Sequence, residues 1–220
     1  DAILGMVRTK GTIRLDGRPL TGLTSAAIVR AGVGYAPERA HLFPHMSVQD
    51  NLLVGGYTAR ADIPRNLARV HELFPVLKDR AGQDTATQAG GERQMVSLGR
   101  ALMTSPRLLL VDEPTIGLAP RVCTQIAETL RRLNQDDGLT ILIAEQNINF
   151  ALSLASTVHV LESGHLRISG SPQELAADEG ISATEPGASA RSGDGSPLSC
   201  GLDLEFSSCV DVVDHAFCGF

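Results

Sequence analysis

The sequence predicts an α/β fold with a mostly parallel sheet. Signals for strands and helices alternate from Gly11 to about Ala177. Two apolar segments, RLLLVD (107–112) and LTILIAE (139–145), are predicted to be buried strands, and the helical segment 120–135 lies between them. A strand, a helix and a second strand in this order form a crossover between parallel strands covered by helices. Of the 220 residues, 43% are hydrophobic, which is enough for a sizeable core.

The first half of the chain contributes short strands and a group of helices. We predict a hairpin that turns at Asp16-Gly17, because this pair favours a tight turn, and a helix capped by Ser47. The elements predicted before residue 107 are the hairpin at 11–20, a strand at 31–37 and helices at 46–57, 63–77 and 91–106. Residues 39–105 are therefore expected to form a helical subdomain inserted between the first strands and the strand at 107–112.

The second half continues the sheet and closes with a short helix. After the strand at 139–145 we predict a strand at 157–163, a turn at Gly164 and a return segment, HLRISG. The segment SPQELAAD (171–178) begins with Ser171 and has Glu174 three residues later. This spacing is that of a capping box, so a helix is expected to begin there.

The character of the chain changes near residue 178. Residues 183–199 are rich in Gly, Ser, Ala and Pro and offer little to bury, so we predict a disordered linker. Cys209, His215 and Cys218 follow and could be considered as metal ligands, but their spacing matches none of the usual zinc templates. We therefore divide the chain into a folded domain at 1–178 and a disordered or aberrant tail at 179–220.

Composition narrows the classes of function. The net charge is −6 and the sequence contains no dense basic run, so nucleic acid is a poor candidate partner. No segment approaches the roughly 18 consecutive apolar residues of a membrane span, and the chain is expected to be soluble or peripheral to a membrane. Asp1-Ala2-Ile3 resembles neither a natural start nor a signal peptide. We therefore expect the front of the chain to be cut.

Two neighbouring features suggest phosphate chemistry. The strand at 107–112 ends in Asp112 and is followed by Glu113, which places carboxylates where a hard cation could be held. Upstream, Gly90 and Gly91 precede a helix whose first amides and dipole favour an anion. Either feature alone is weak, because many buried strands end in an acidic residue and many helices begin at glycine. Their order and spacing together favour a nucleoside triphosphatase.

The segment GGERQMVSLGRALMTSPRLLLVDEPTIGLAP resembles the signature loop, Walker B strand and following loop of ATP-binding cassette (ABC) transporter ATPases. With GYAPERAHLFPHMSVQDNLLVGGY and LIAEQN, it is similar to the ATPase subunits of bacterial branched-chain amino acid importers, the LivF type. The resemblance covers about residues 1–178. It implies a P-loop NTPase-like core that uses ATP and Mg²⁺.

The resemblance also implies residue roles. Asp112 would hold Mg²⁺ through water, and Glu113 would orient and deprotonate the attacking water. Glu38 matches the loop that senses magnesium and water, where most of the family has Gln. Gln146 matches the switch position, where the wider family has His, and it would donate a hydrogen bond to the γ-phosphate without carrying a charge. Ala119 stands where Asp is common, as in the importer subgroup.

The predicted signature loop departs from the family at one residue. The family normally has Leu-Ser-Gly-Gly, whereas this chain has Gln88-Ala89-Gly90-Gly91. The resemblance implies that Ala89, Gly90, Gly91 and Glu92 face the ATP of a partner subunit, here with backbone amides and without the serine hydroxyl. A lost hydrogen bond to a charged group costs about 1.5–3 kcal/mol, so hydrolysis is expected to be slower.

The phosphate cradle of this family ends in Gly-Lys-Ser/Thr, and none of the 220 residues form such a segment. By resemblance the cradle would lie just upstream of residues 1–7, so we expect an incomplete ATPase that is inactive by itself. The partners implied are a second ATPase subunit, membrane-spanning permease subunits near HLFPHMSV (41–48) and, indirectly, a periplasmic solute-binding protein. The subunit would lie on the cytoplasmic face of the plasma membrane.

Three alternatives stay open at this point. A non-catalytic regulatory half would lend only its signature loop to another subunit, and Ala89 mildly favours that hypothesis whereas Asp112 and Glu113 oppose it. Importers of urea and short-chain amides have very similar ATPases. A DNA-repair ATPase of the same superfamily would normally show a coiled-coil insertion or a basic surface, and this sequence has neither.

Overall fold

The computed structural model describes residues 1–162, 165–176, 204–206 and 210–216. Its strands are β1 (Ile13–Leu15), β2 (Arg18–Pro19), β3 (Val33–Ala36), β4 (Leu108–Asp112), β5 (Thr140–Ala144), β6 (Thr157–Glu162), β7 (His165–Gly170), β8 (Leu204–Phe206) and β9 (Val210–Ala216). Its helices are α1 (Ser25–Arg30), α2 (Val48–Gly55), α3 (Ile63–Leu73), α4 (Pro75–Asp79), α5 (Gly90–Leu102), α6 (Pro120–Gln135), α7 (Ile148–Leu154) and α8 (Pro172–Ala176). Three short 3-10 helices lie at Gly56–Thr58, Arg60–Asp62 and Thr85–Thr87.

The larger sheet has the strand order β3-β4-β5-β9-β6-β7. All neighbouring pairs in it are parallel except β6 and β7, which confirms the predicted mostly parallel sheet. In register, Ala36 lies opposite Val111, and Asp112 lies opposite Ala144. Because these strands run in the same direction, the segments that follow β3, β4 and β5 meet at one edge of the sheet.

Strand β4 is buried on both faces, as a continuous apolar run predicts. Leu108 and Leu110 pack into a cluster with residues of β1, α1 and β3. Leu109 and Val111 pack into a second, larger cluster with residues of α2 to α7. The strand is thereby fixed on both sides, and its carboxyl end has a defined position.

The helical subdomain is packed around a glycine. A Cβ atom on Gly99 of α5 would lie 2.8 Å from Cγ1 of Val70 and 2.9 Å from Cδ2 of Leu52. The missing side chain therefore allows α2, α3 and α5 to approach each other closely. Ser47 caps α2 as predicted, with its hydroxyl oxygen accepting from the amide of Asp50.

Two helix boundaries differ from the predicted ones. The helix predicted at 63–77 is divided, because Phe74 precedes Pro75 and adopts a non-helical backbone with φ −130° and ψ 77°. The helix predicted at 91–106 ends at Leu102, and Ser105 has a left-handed φ of 52°. The capping box at Ser171 and Glu174 is present before α8, while the turn predicted at Gly164 lies outside the described residues.

The predicted tail contains two strands that the sequence analysis did not foresee. Strand β8 pairs with β1, and β9 pairs in parallel with both β5 and β6 inside the larger sheet. The segment 210–216 contains Val210, Val212 and Val213, and β-branched residues favour strands. The linker predicted at 183–199, together with Cys209 and Cys218, lies outside the described residues. The domain division at residue 178 stays a prediction.

Candidate functional site

Asp112 and Glu113 lie where β4 leaves the sheet. The backbone amide of Glu113 donates a 2.8 Å hydrogen bond to the carbonyl of Ala144, which ties the end of β4 to the end of β5. Glu113 has a left-handed backbone with φ 41°. Such a conformation costs a residue other than glycine about 1–3 kcal/mol and persists where the surroundings enforce it. The turn thus directs the chain sharply away from the strand at the predicted base.

The switch residue contacts the predicted base directly. The side-chain nitrogen of Gln146 donates a hydrogen bond of 2.7 Å to Oε1 of Glu113. Gln146 follows β5, which is the neighbour of β4 in the sheet. Two residues that the sequence analysis selected from separate segments are therefore brought together by strand pairing.

Asp112 has a partner that the sequence analysis missed. The hydroxyl of Tyr35, on β3, donates a 3.1 Å hydrogen bond to Oδ2 of Asp112. Burial, followed by the negative charge of Asp112, raises the pKa of Tyr35 to about 12, and Glu38 adds to the effect. The phenol therefore stays protonated and remains a donor at neutral pH.

The site concentrates negative charge around Glu113. Burial is the largest cause that raises the pKa of Glu113 above its ordinary value, and the charges of Glu38, Glu145 and Asp112 raise it further. The hydrogen bond from Gln146 acts in the opposite direction. A carboxylate with a raised pKa is a stronger base once it is ionised, as catalysis of proton transfer requires.

A further acidic residue, Glu145, which the sequence analysis also missed, lies beneath this surface. Glu145 is only 3% exposed, and its Oε1 accepts hydrogen bonds from the Thr115 hydroxyl at 2.9 Å and the Asn147 amide at 3.1 Å. The sequence feature that could have identified Glu145 is its position directly after an apolar strand. The sequence could not show that Thr115 lies within reach of it.

The predicted signature loop leads into helix α5. Ala89 is the N-cap residue, and its side chain offers no oxygen to the first amides of the helix. The Glu92 carboxylate accepts weakly from the Ala89 amide at 3.4 Å and pairs with Arg80 at 3.1 Å. A Cβ on Gly91 would lie 2.7 Å from Cγ1 of Val122 on α6. Position 91 therefore requires glycine for the close approach of α5 to α6.

The predicted site residues form two groups. Glu38, Asp112, Glu113 and Gln146 share one edge of the sheet, whereas Ala89, Gly90, Gly91 and Glu92 lie at the start of α5. Across the part of the chain that the structure describes, no hydrogen bond or ion pair joins the two groups. Among all the residues that the structure describes, no three or more His, Cys, Asp or Glu side chains are grouped so that they could hold a metal ion by themselves.

Comparison with known families gives the decisive observation. The family described as ABC transporter matches residues 1–116, just over half of the chain. This protein belongs to the ABC transporter family. Among its relatives, the high-affinity branched-chain amino acid transport ATP-binding protein BraG of Pseudomonas aeruginosa is 44% identical over 157 residues, which cover 71% of this chain and 67% of BraG.

Two further relatives extend the comparison. A LivF protein of Archaeoglobus fulgidus, described as a probable branched-chain amino acid transport ATP-binding protein, is 31% identical over 166 residues, 75% of this chain and 70% of LivF. The lipopolysaccharide export protein LptB of Escherichia coli is 33% identical over 187 residues, 81% of this chain and 76% of LptB. The family prediction from the sequence is confirmed.

Solved structures confirm the ABC fold. A nucleotide-free ATP-binding cassette from an ABC transporter superposes with a TM-score of 0.69 at 19% identity, over 83% of this chain and 79% of the other. A dimeric cassette in a post-hydrolysis state with ADP and Pi gives a TM-score of 0.63 at 20% identity, over 71% of each chain. Within the described residues, none of the helices of this ABC protein is long and apolar enough to cross a bilayer.

Proposed function

We propose that this ABC protein is the ATP-hydrolysing subunit of an importer for branched-chain amino acids. The observation that carries the proposal is the Glu113–Gln146 contact at the end of β4, in a chain 44% identical to a branched-chain amino acid transport protein. The lipopolysaccharide export relative is less similar, at 33%. The higher identity over a comparable length favours amino-acid import.

Glu113 is proposed as the general base that takes a proton from the attacking water. Its raised pKa and its position at the sheet edge, where it is held by Gln146, support this role. Proton transfer to a positioned carboxylate contributes about 10²–10⁴-fold to a rate. Gln146 has a second side-chain hydrogen, which is free to be donated to the γ-phosphate while the first remains on Glu113.

Asp112 and Glu38 are the residues proposed to hold Mg²⁺. Their oxygens are the ligands that this hard cation prefers. Both carboxylates raise the pKa of the same Tyr35 hydroxyl, so a divalent cation bound near them would offset negative charge from both. Mg²⁺, when bound, offsets the charge of the phosphates. The direct ligands from this chain are few, which suits an ion that keeps several waters.

The amides of Gly90 and Gly91 are proposed to face the ATP of a second ATPase subunit, because the first turn of α5 leaves its amides available for an anion. Ala89, whose amide donates weakly to Glu92, is proposed to face the same ATP. The exposed Phe43 and Tyr57, 47% and 68% accessible, support contact between the helical subdomain and membrane-spanning permease subunits. A periplasmic binding protein would deliver the solute. The subunit would then lie on the cytoplasmic face of the membrane.

A non-catalytic regulatory half is the second candidate function, favoured by Ala89 in the signature loop. It requires no base, yet Asp112 and Glu113 are both present and both hydrogen-bonded. A urea or amide importer is distinguished by the transported solute.

The test uses an extended chain, in which an upstream segment carrying a Gly-Lys-Ser/Thr loop is taken from a relative and joined to Asp1. Proteoliposomes with this chain, permease subunits and binding protein should take up labelled leucine, driven by Mg-ATP. Glu113→Gln should lower phosphate release by about 10²–10⁴-fold and retain ATP binding by calorimetry, whereas Glu128→Gln, on an exposed part of α6, should change neither. Full turnover in Glu113→Gln would remove the base role, and uptake of urea without leucine would redirect the substrate assignment.

A further inference from the structure

Glu145 is the most buried acidic side chain near the site, and it is only partly satisfied. It is 3% exposed. Its Oε1 accepts two hydrogen bonds, while Oε2 is buried and has no hydrogen-bond partner among the described residues. A buried polar atom without a partner lowers stability. The arrangement therefore calls for a reason other than stability.

The two donors to Glu145 belong to the two segments that carry Glu113 and Gln146. Thr115 lies two residues after Glu113, is 8% exposed, and donates its hydroxyl at 2.9 Å. Asn147 directly follows Gln146 and donates its backbone amide at 3.1 Å. One oxygen atom thus connects the loop after β4 with the loop after β5.

These contacts lie behind the pair of residues at the surface of the site. On the exposed side, Gln146 donates to Glu113, and the two loops are also joined by the Glu113 amide and the Ala144 carbonyl. Asn147 in turn caps α7, since its Oδ1 accepts from the amide of Phe150 at 3.1 Å. The position of Gln146 is consequently fixed between a buried anchor and a helix start.

We infer that Glu145 is a positioning residue for ATP hydrolysis: through Thr115 and Asn147, its Oε1 sets the distance between Glu113 and Gln146. The inference rests on the role proposed for Glu113 above. Because the side chains of Glu113 and Gln146 come from two separate loops and meet at 2.7 Å, their contact depends on how those loops are held relative to each other. The unpartnered Oε2 is tolerated because a shorter or apolar residue could not reach both donors.

The experiment measures the side-chain amide resonances of Gln146 by NMR in the 220-residue chain, without nucleotide. The signals are assigned by their loss in Gln146→Leu, and Glu113→Ala gives their position when the contact is absent. Thr115→Val, which keeps the shape and removes the donor, should shift them at least halfway to that position. Glu145→Ala should shift them further. Glu145→Gln, whose oxygen still accepts from both donors, and Thr115→Ser should leave them nearly unchanged.

A matched control separates the positioning of Gln146 from the general effect of removing a buried threonine hydroxyl. Thr129 is 5% exposed, and its hydroxyl donates within α6 to the carbonyl of Gln125 at 2.9 Å, so Thr129→Val should leave the Gln146 signals unchanged. Unshifted Gln146 signals in a folded Thr115→Val protein would overturn the inference. Because no ATP is involved, that result is distinct from a failure of leucine uptake, which would count against the proposed function.

Discussion

Nε2 of Gln146 and Oε1 of Glu113 are 2.7 Å apart, which joins the segments that follow two adjacent strands. The bond restrains the carboxylate and leaves its Oε2 available for a water molecule. It also opposes the rise in the pKa of Glu113 that burial causes. The amide therefore orients the base and favours its ionised form.

Replacing Gln146 by Leu should separate the effect of its hydrogen bond to Glu113 from the effect of its packing. The leucine side chain is similar in size but cannot donate, so the extended chain should lose about 10–100-fold in kcat, corresponding to a lost hydrogen bond to a charged group. Gln146→His keeps a donor and should stay within a few-fold of the parent. Steady-state phosphate release provides the measurement, and equal losses in both variants would show that the donor is not what matters.

The raised pKa of Glu113 predicts how the stability of the protein depends on pH. Between the unfolded value of 4.5 and the higher folded pKa, the folded protein binds more protons than the unfolded chain, so stability falls as pH rises through this window. At pH 7 the ionised side chain destabilises the fold. Glu113→Gln should therefore raise Tm at pH 7, with a gain that shrinks as the pH falls through the folded pKa and is lost below about 4.5. A gain independent of pH would contradict the charge explanation, and Glu128→Gln is the exposed control.

Because α5 approaches α6 closely at Gly91, we predict that Gly91 tolerates substitution less well than its neighbour Gly90. Gly91→Ala would bring a Cβ to 2.7 Å from Val122 Cγ1, and Val122 is a stiff β-branched residue, so we expect a loss of about 1–3 kcal/mol in the free energy of unfolding. At Gly90 the nearest atom is 3.6 Å away, and Gly90→Ala should be tolerated. Urea unfolding measures both. Failure of Val122→Ala to restore the stability of Gly91→Ala would exclude this contact as the cause.

Restoring serine in the signature loop should have two measurable effects. Ala89→Ser places a hydroxyl at the N-cap of α5, and such caps contribute about 0.5–2 kcal/mol to stability. In the extended chain, the same hydroxyl should raise ATP turnover several-fold by reaching the partner's phosphate. Ala89→Val should do neither. Higher stability with unchanged ATP turnover would show that the serine hydroxyl caps α5 and does not contact the partner's phosphate.

Because β9 lies between β5 and β6 in the larger sheet, we predict that the tail that contains β9 is required for a stable sheet. Ending the chain after residue 203 removes the partner of both β5 and β6 and leaves their edges open. Tm should fall by about 5 °C or more, since each kcal/mol corresponds to roughly 2–4 °C in a chain of this size, and light scattering should rise. A chain that ends at Phe206 keeps β8 and lacks only β9, and a chain that ends at Ala216 keeps both strands, so these two form the matched pair. An unchanged Tm in the shortened chain, with no rise in light scattering, would contradict this prediction.

The sequence predicted the parts of the site that depend on neighbouring residues. The apolar run of β4 followed by Asp112 and Glu113 is a local pattern, and so is the glycine pair before α5. The hydrogen bond from Tyr35 to Asp112 and that from Thr115 to Glu145 depend on which strands are adjacent and on which side each side chain points. Those facts follow from the packing of the whole sheet, which periodicity alone does not specify.

The position of β9 also has a consequence for how the protein forms during synthesis. Strands β5 and β6 are made early, but the segment that lies between them follows only after residues 163–209 have been added. Until then two apolar strands present unpaired backbone edges, and pairing over long sequence separation is slow. A nascent chain in this state is a substrate for chaperones and for aggregation. The yield of folded protein should therefore depend on the rate of translation through the segment between β7 and β9.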